Sequence, residues 1–157
     1  GKYVAKKTGR NLVLWDGACE VHVEISVDKL KFLQGKYPNA ELIAHPECQE
    51  SILDEADFVG STTALLKHVE ESNVQEFIVA TEVGIIHKMK QAVPHKKLIP
   101  APAVTNNTCA CSECPYMKLN TLEKIHASLV HLQPEIFVEE SIRLKALKSV
   151  NRMLELS

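Results

Sequence analysis

Five short segments of this chain put reactive side chains beside one another. Trp15-Asp16-Gly17-Ala18-Cys19-Glu20-Val21-His22 brings a thiol and an imidazole close together. His45-Pro46-Glu47-Cys48 places an imidazole, a carboxylate and a thiol on a proline-containing loop. His45 and Glu47 there can divide acid and base work or hold a polar substrate. The competing reading is a hydrogen-bonded pair that only steadies the loop. Gly60-Ser61-Thr62-Thr63 reads as a helix start, with free amides, hydroxyl donors and the positive end of the helix dipole. Ser61 and Thr62 are therefore candidates for a phosphate or carboxylate, against the plainer reading of an N-cap. Thr81-Glu82-Val83-Gly84 offers a carboxylate that serves either a site or the next helix. The last segment runs Cys109-Ala110-Cys111-Ser112-Glu113-Cys114-Pro115-Tyr116-Met117.

Thiols admit several readings. Taken singly, Cys19 and Cys48 are each small buried hydrophobes by default. Cys111-x-x-Cys114 can be half of a zinc site, but no second pair stands at zinc-finger spacing. It can be a redox pair. With Pro115 fixing the chain beside Cys114, it can also belong to an iron–sulfur centre. Spacing alone leaves these open. Cys109 reads as a bystander, and His22 shares the ambiguity of His45. No P-loop pattern is present, which argues against nucleotide hydrolysis.

These residues need elements to position them. Short apolar runs predict strands at Asn11–Trp15, Ala40–Ala44, Asp57–Val59, Glu76–Ala80 and Lys97–Pro100. Between them, helical spacing covers Asp28–Tyr37, Glu50–Ala56, Ser61–Glu71 and Val83–Gln91. Residues 101–108 read as loop, and Leu119–Leu132 and Glu139–Leu156 as amphipathic helices. The strands are apolar without alternation, which suits a parallel sheet covered on both faces, a three-layer αβα arrangement. In such sheets ligands bind beyond the carboxyl ends of the strands, where all five reactive segments fall.

Bulk properties narrow the function further. The chain has 157 residues, 45% of them apolar, enough for a real core. The net charge of −2 is spread along it, which disfavours nucleic acid or an anionic membrane as partner. No run approaches the ~18 apolar residues of a membrane span. Five cysteines, an odd number without a secretion signal, fit metal ligands, reactive thiols or core fillers in a reducing cytoplasm. The opening Gly1–Lys7 already has helical character, so the chain is expected to be part of a longer protein. Its expected divisions are 1–9, the end of a preceding repeat; 10–104, an α/β domain; and 105–157, the cysteine motif and last helices.

Taken together, these motifs resemble the quinolinate synthase family. The similarity runs in order through Gly1-Lys2-Tyr3-Val4-Ala5 with Thr8-Gly9, Trp15-x-Gly17-x-Cys19-x-Val21-His22 and His45-Pro46-Glu47-Cys48. It continues through Ala56-Asp57-Phe58-Val59-Gly60-Ser61-Thr62, Ala80-Thr81-Glu82-x-Gly84-Ile85 and Cys111-x-x-Cys114-Pro115-Tyr116-Met117-x-x-Asn120-Thr121-Leu122. The resemblance implies three similar α/β domains around a pseudo-threefold axis, with a central [4Fe–4S] cluster. It makes Cys19 and Cys114 cluster ligands, a third cysteine lying in a segment this sequence lacks. It implies condensation of iminoaspartate with dihydroxyacetone phosphate to quinolinate, for NAD biosynthesis, and a functional link to L-aspartate oxidase. His45 and Glu47 become catalytic and substrate-binding residues, and Ser61 and Thr62 bind phosphate or carboxylate. Cys48 goes to the pocket wall, Glu82 and His22 to supporting positions, and Cys111 with Cys114 to a regulatory disulfide. The rival expectations are an inert homologue, or a zinc or redox protein using Cys111 and Cys114. The 157-residue piece alone is expected to be inactive.

Overall fold

The computed structural model describes residues 1–104 and 112–156. Contacts divide the chain into two compact units, Gly1–Pro115 and Tyr116–Ser157.

The first unit is built on four parallel strands: β1 (Glu41–Ala44), β2 (Phe58–Val59), β3 (Glu76–Ala80) and β4 (Lys97–Pro100). They lie in the order β2-β1-β3-β4. Helices α1 (Lys2–Thr8), α2 (Glu20–Val23) and α3 (Val27–Lys36) precede the sheet. The crossovers carry α4 (Glu50–Leu53), α5 (Thr62–Glu71) and α6 (Gly84–Ala92). Alternate residues of each strand leave by opposite faces. Leu42, Ala44, Ile78 and Ala80 pack with Ile25, Leu30 and Ile52 in one core. Ile43, Phe77 and Val79 pack with Leu65, Val69, Ile86 and Met89 in the other. Both faces are thus covered, which is why the strands read as unbroken apolar runs. The three-layer parallel α/β fold is as the pattern predicts.

One predicted strand does not form. Asn11–Trp15 has no strand pairing, and Val13 and Trp15 are almost fully exposed. An apolar run becomes a strand only where a neighbour takes its backbone hydrogen bonds, and none of the four strands reaches it. Residues 20–26 are instead tied to the chain beyond β4. Ser26 donates its backbone N–H to Pro102 O at 2.9 Å, Val104 donates to Glu24 O at 2.8 Å, and Ile25 bridges Ala103.

The second unit holds a 3-10 turn (Met117–Leu119), α7 (Leu122–His131) and α8 (Glu140–Glu155). Thr121 caps α7 by accepting from Lys124 N.

Candidate functional site

Strand order creates the site. From β1 the chain crosses to β2 on one side, and from β3 to β4 on the other. The gap between the carboxyl ends of β1 and β3 is the switch point where such sheets bind ligands. The loop after β1 carries His45, Glu47 and Cys48, and Thr81 follows β3. The two are stitched together: His45 N and Cys48 Sγ both donate to Ala80 O, at 3.0 and 3.2 Å.

Short helix α2 brings His22 over this gap, with Cys19 at its N-cap. Gln49 Nε2 holds the helix by donating to Val23 O. His22 is buried, and its Nε2 shares a 3.0 Å hydrogen bond with buried Thr81 Oγ1. Its ring stacks on that of His45, centroids 4.6 Å apart. Its Nδ1 lies 3.2 Å from Glu47 Oε2 but out of hydrogen-bonding alignment, so this buried nitrogen has no hydrogen-bond partner. His45 differs: its Nδ1 accepts from Glu47 N at 3.4 Å. Among the described residues, donor atoms of Cys19, His22 and Glu47 all lie within 4.8 Å of one another.

Burial sets the protonation states. It lowers the His22 pKa, helped by the neighbouring His45 and opposed by the Glu47 carboxylate. It lowers that of His45 too, again against Glu47. Both rings are neutral at pH 7 and able to accept protons. Burial pushes the Cys48 thiol up to about 12, with Cys19 and Glu47 adding to the rise and a backbone hydrogen bond from the His45 turn opposing it. Cys48 is therefore a protonated thiol, whereas Cys19 and Cys114 are free and half-buried. Cys19, Glu47 and Cys48 line a cavity of about 1300 Å³, together with residues including Tyr3, Trp15 and Asp54. Lys6 fastens α1 to one wall through Glu50 at 2.6 Å and Asp54 at 3.0 Å.

The remaining predicted residues lie around this centre. Ser61 caps α5 by accepting from Ala64 N at 3.3 Å, and Thr62 is exposed beside it. Gly60 permits the turn: a Cβ there would come within 2.8 Å of the Ala64 side chain and 2.9 Å of Phe58. Glu82 accepts from Gly84 N at 2.7 Å, so it serves the start of α6. Cys114 follows Ser112, which is buried and donates to Ala101 O at 2.9 Å, while Val83 N donates to Ser112 O at 3.1 Å. Ser112, two residues before Cys114, is thus anchored to the chain leaving β3 and β4. Cys109 and Cys111 lie outside the described residues. Two residues matter more than their sequence signals suggested. His22 stands at the centre of the group, and Thr81, a lone threonine ending an apolar strand, holds it.

A parallel α/β domain with thiol, imidazole and carboxylate donors gathered at its switch point has the layout of a ligand- or metal-binding enzyme domain. The comparisons give its family. The family model for Quinolinate synthetase A protein matches residues 1–155, and the chain belongs to that family. It is 54% identical over 157 residues to quinolinate synthase of Rippkaea orientalis, covering 100% of this chain and 48% of that protein. The corresponding protein of Synechococcus sp. is 54% identical, with 49% covered, and that of Trichodesmium erythraeum 53%, with 48% covered. In both, 100% of this chain is matched. The chain spans about half the length of the curated relatives it matches. Among the described residues no helix is long and apolar enough to cross a membrane.

Proposed function

We propose that this chain supplies the switch-point half of a quinolinate synthase active site, for the condensation of iminoaspartate with dihydroxyacetone phosphate to quinolinate, phosphate and water. The observation that carries this reading is the gathering of Cys19, His22, His45 and Glu47 at one place in a member of that family, with Cys19 and Glu47 lining a cavity. The wider reading keeps the pseudo-threefold assembly, a place in NAD biosynthesis and a functional link to L-aspartate oxidase.

The donor set suits an iron–sulfur cluster. Cys19 and Cys114 are free, half-buried thiols, whereas Cys48 keeps its proton and spends it on Ala80 O. Cys19 and Cys114 would hold the cluster with a third cysteine from outside these 157 residues. When bound, a [4Fe–4S] cluster with only three thiolates supplies a Lewis acid with an open iron position. The chain's own residues do the rest. Glu47, exposed to the cavity, orients a polar intermediate and takes or returns a proton. Neutral His45 accepts protons beside it. Neutral His22, fixed by Thr81 and stacked on His45, stands beside the Glu47 carboxylate as a further proton acceptor. Ser61 and Thr62 at the start of α5 bind the triose phosphate or a carboxylate.

The test is a chimera in which this chain replaces the matching half of the Rippkaea orientalis relative, purified anaerobically. Iron, sulfide and quinolinate formation are measured for it and for its Cys19→Ala, Cys48→Ala and Cys114→Ala variants. The reading expects quinolinate from the parent chimera, and cluster loss in the Cys19 and Cys114 variants only. A folded parent chimera that binds iron and sulfide but makes no quinolinate overturns the proposed activity. Cluster loss in the Cys48 variant alone overturns the ligand choice.

A further inference from the structure

The serine inside Cys111-x-x-Cys114 is more than a spacer. Ser112 is 2% exposed, while Glu113 beside it is open to solvent. Its hydroxyl and its carbonyl are both used, and each reaches a different strand end. The hydroxyl donates to Ala101 O at 2.9 Å, directly after β4. The carbonyl accepts from Val83 N at 3.1 Å, three residues after β3. Ala101 is itself fastened to the sheet, donating its N–H to Val79 O at 3.0 Å. Moving this serine would strand buried polar groups, so it is committed to its place.

Cys114 follows two residues later, a reach of about 7 Å at full extension. Pro115 stands directly behind it. Proline fixes its own φ and disfavours the helical region for the residue before it. Cys114 is therefore confined from both sides. One residue separates it from a pinned serine, and the proline restricts its own backbone. The strap that takes Ser112, residues 101–104, is held in turn from the α3 side. Ser26 N donates to Pro102 O, Val104 N donates to Glu24 O, and Ile25 bridges Ala103. Lys29 Nζ closes the joint by donating to Ala103 O and Val104 O, both at 3.0 Å.

We infer that Ser112 and Lys29 are positioning residues for the iron–sulfur site: Ser112 sets Cys114, and Lys29 holds the strap on which Ser112 is pinned. The inference rests on the reading of Cys114 as a cluster ligand. Groups that orient a metal ligand without binding the metal typically change affinity by about 10–100-fold. Ser112 suits that work because its hydroxyl is small enough to be buried and bonded. Alanine keeps the shape and loses the pin.

The test uses the chimera described above, loaded anaerobically. Three quantities are read: iron and sulfide per chain, the rate at which a ferrous chelator strips the iron, and the EPR spectrum of the reduced cluster. Melting of the metal-free form is followed beside them. Ser112→Ala is expected to release iron about 10–100 times faster than the parent, with an altered EPR spectrum. Ser112→Thr, which restores the hydroxyl, stays close to the parent. Lys29→Met speeds release by a smaller factor, and Lys29→Arg restores it. A serine that is only structural would lower the melting point and leave the release rate and spectrum of the folded protein at parent values, which overturns the inference. If Ser112→Ala does not fold, Lys29→Met decides, and parent-like release and spectrum there overturn it equally. Cys114→Ala separates the two levels. Full cluster retention in that variant sinks the ligand reading, and this inference with it. Cluster loss there, beside parent-like Ser112→Ala and Lys29→Met, sinks this inference alone.

Discussion

The two edges of the sheet each carry a histidine–glutamate pair, and the pairs are built differently. At the amino edge Glu41, the first residue of β1, accepts from His68 Nε2 at 2.5 Å. The His68 ring stacks on Phe58 at 4.0 Å and meets Phe77 edge-on at 6.3 Å. At the carboxyl edge Glu47 approaches His22 at 3.2 Å without a hydrogen bond, and the His22 ring stacks on another imidazole. The first pair is closed: its polar atoms satisfy each other and its ring is packed in apolar surface. The second leaves a buried nitrogen and an exposed carboxylate turned toward a cavity. The same two residue types therefore make structure at one end of a strand and a site at the other. What separates them is whether the polar groups are already used up.

Breaking that contrast should cost most at the open pair, and the cost should fall on chemistry. In the assembled enzyme, Glu47→Gln is expected to lower kcat by about 10²–10⁴-fold, the usual range for a positioned acid or base. The Glu47 side chain is 57% exposed, so the thermal midpoint should stay within about a degree of the parent, in line with the small effects of most surface substitutions. Steady-state kinetics beside a melting curve checks both halves. A variant that melts early yet keeps its rate would mean Glu47 is structural after all.

The amino edge should behave in the opposite way. Lys96 there is buried, and its Nζ donates to Val69 O at 2.6 Å and to Ser72 O at 2.5 Å, over the Phe77 ring. Lys96→Met strands two carbonyls at the end of α5 and should cost about 2–3 kcal/mol of unfolding free energy. Glu41→Gln weakens a charge-assisted bond without emptying it, for about 1–2 kcal/mol. Urea unfolding measures each, and turnover per folded molecule should not change. Loss of turnover in either variant would show that the two edges are coupled through β1.

The contrast was only partly legible in the sequence. Strands β1, β3 and β4 were readable because Glu41–Ala44, Glu76–Ala80 and Lys97–Pro100 are short apolar runs between helical patterns. Asn11–Trp15 carries the same local signal and forms no strand, because pairing depends on a neighbour that a local pattern does not reveal. His45 and Glu47 stood out as polar groups on a loop beside a proline. The weight of His22 and Thr81 did not, since their bond spans 59 positions and exists only because the fold brings α2 to the end of β3. Glu41 and His68 gave no warning either, for a charged residue at a strand start and a histidine on a helix usually face water.

The smallest expected effect is also the sharpest on protonation, and it concerns the metal-free chain. Burial holds the folded pKa values of His22 and His45 below the ordinary 6.5. Above that value both rings are neutral in the folded and unfolded states, and neither contributes a pH dependence. As the pH falls through 6.5 the unfolded chain takes up protons that the folded chain refuses. Stability present above 6.5 is therefore lost toward the folded pKa values, by at most about 1.4 kcal/mol per pH unit for each ring. Urea midpoints measured from pH 7.5 to 5 should show this decline, and His22→Gln should flatten it. Glu47→Gln should steepen it, because the carboxylate is what raises both pKa values. If His22→Gln leaves the profile unchanged, the ring is not held neutral in the fold. The carboxyl edge would then be as fully satisfied as the amino edge, and the difference between the two pairs would disappear.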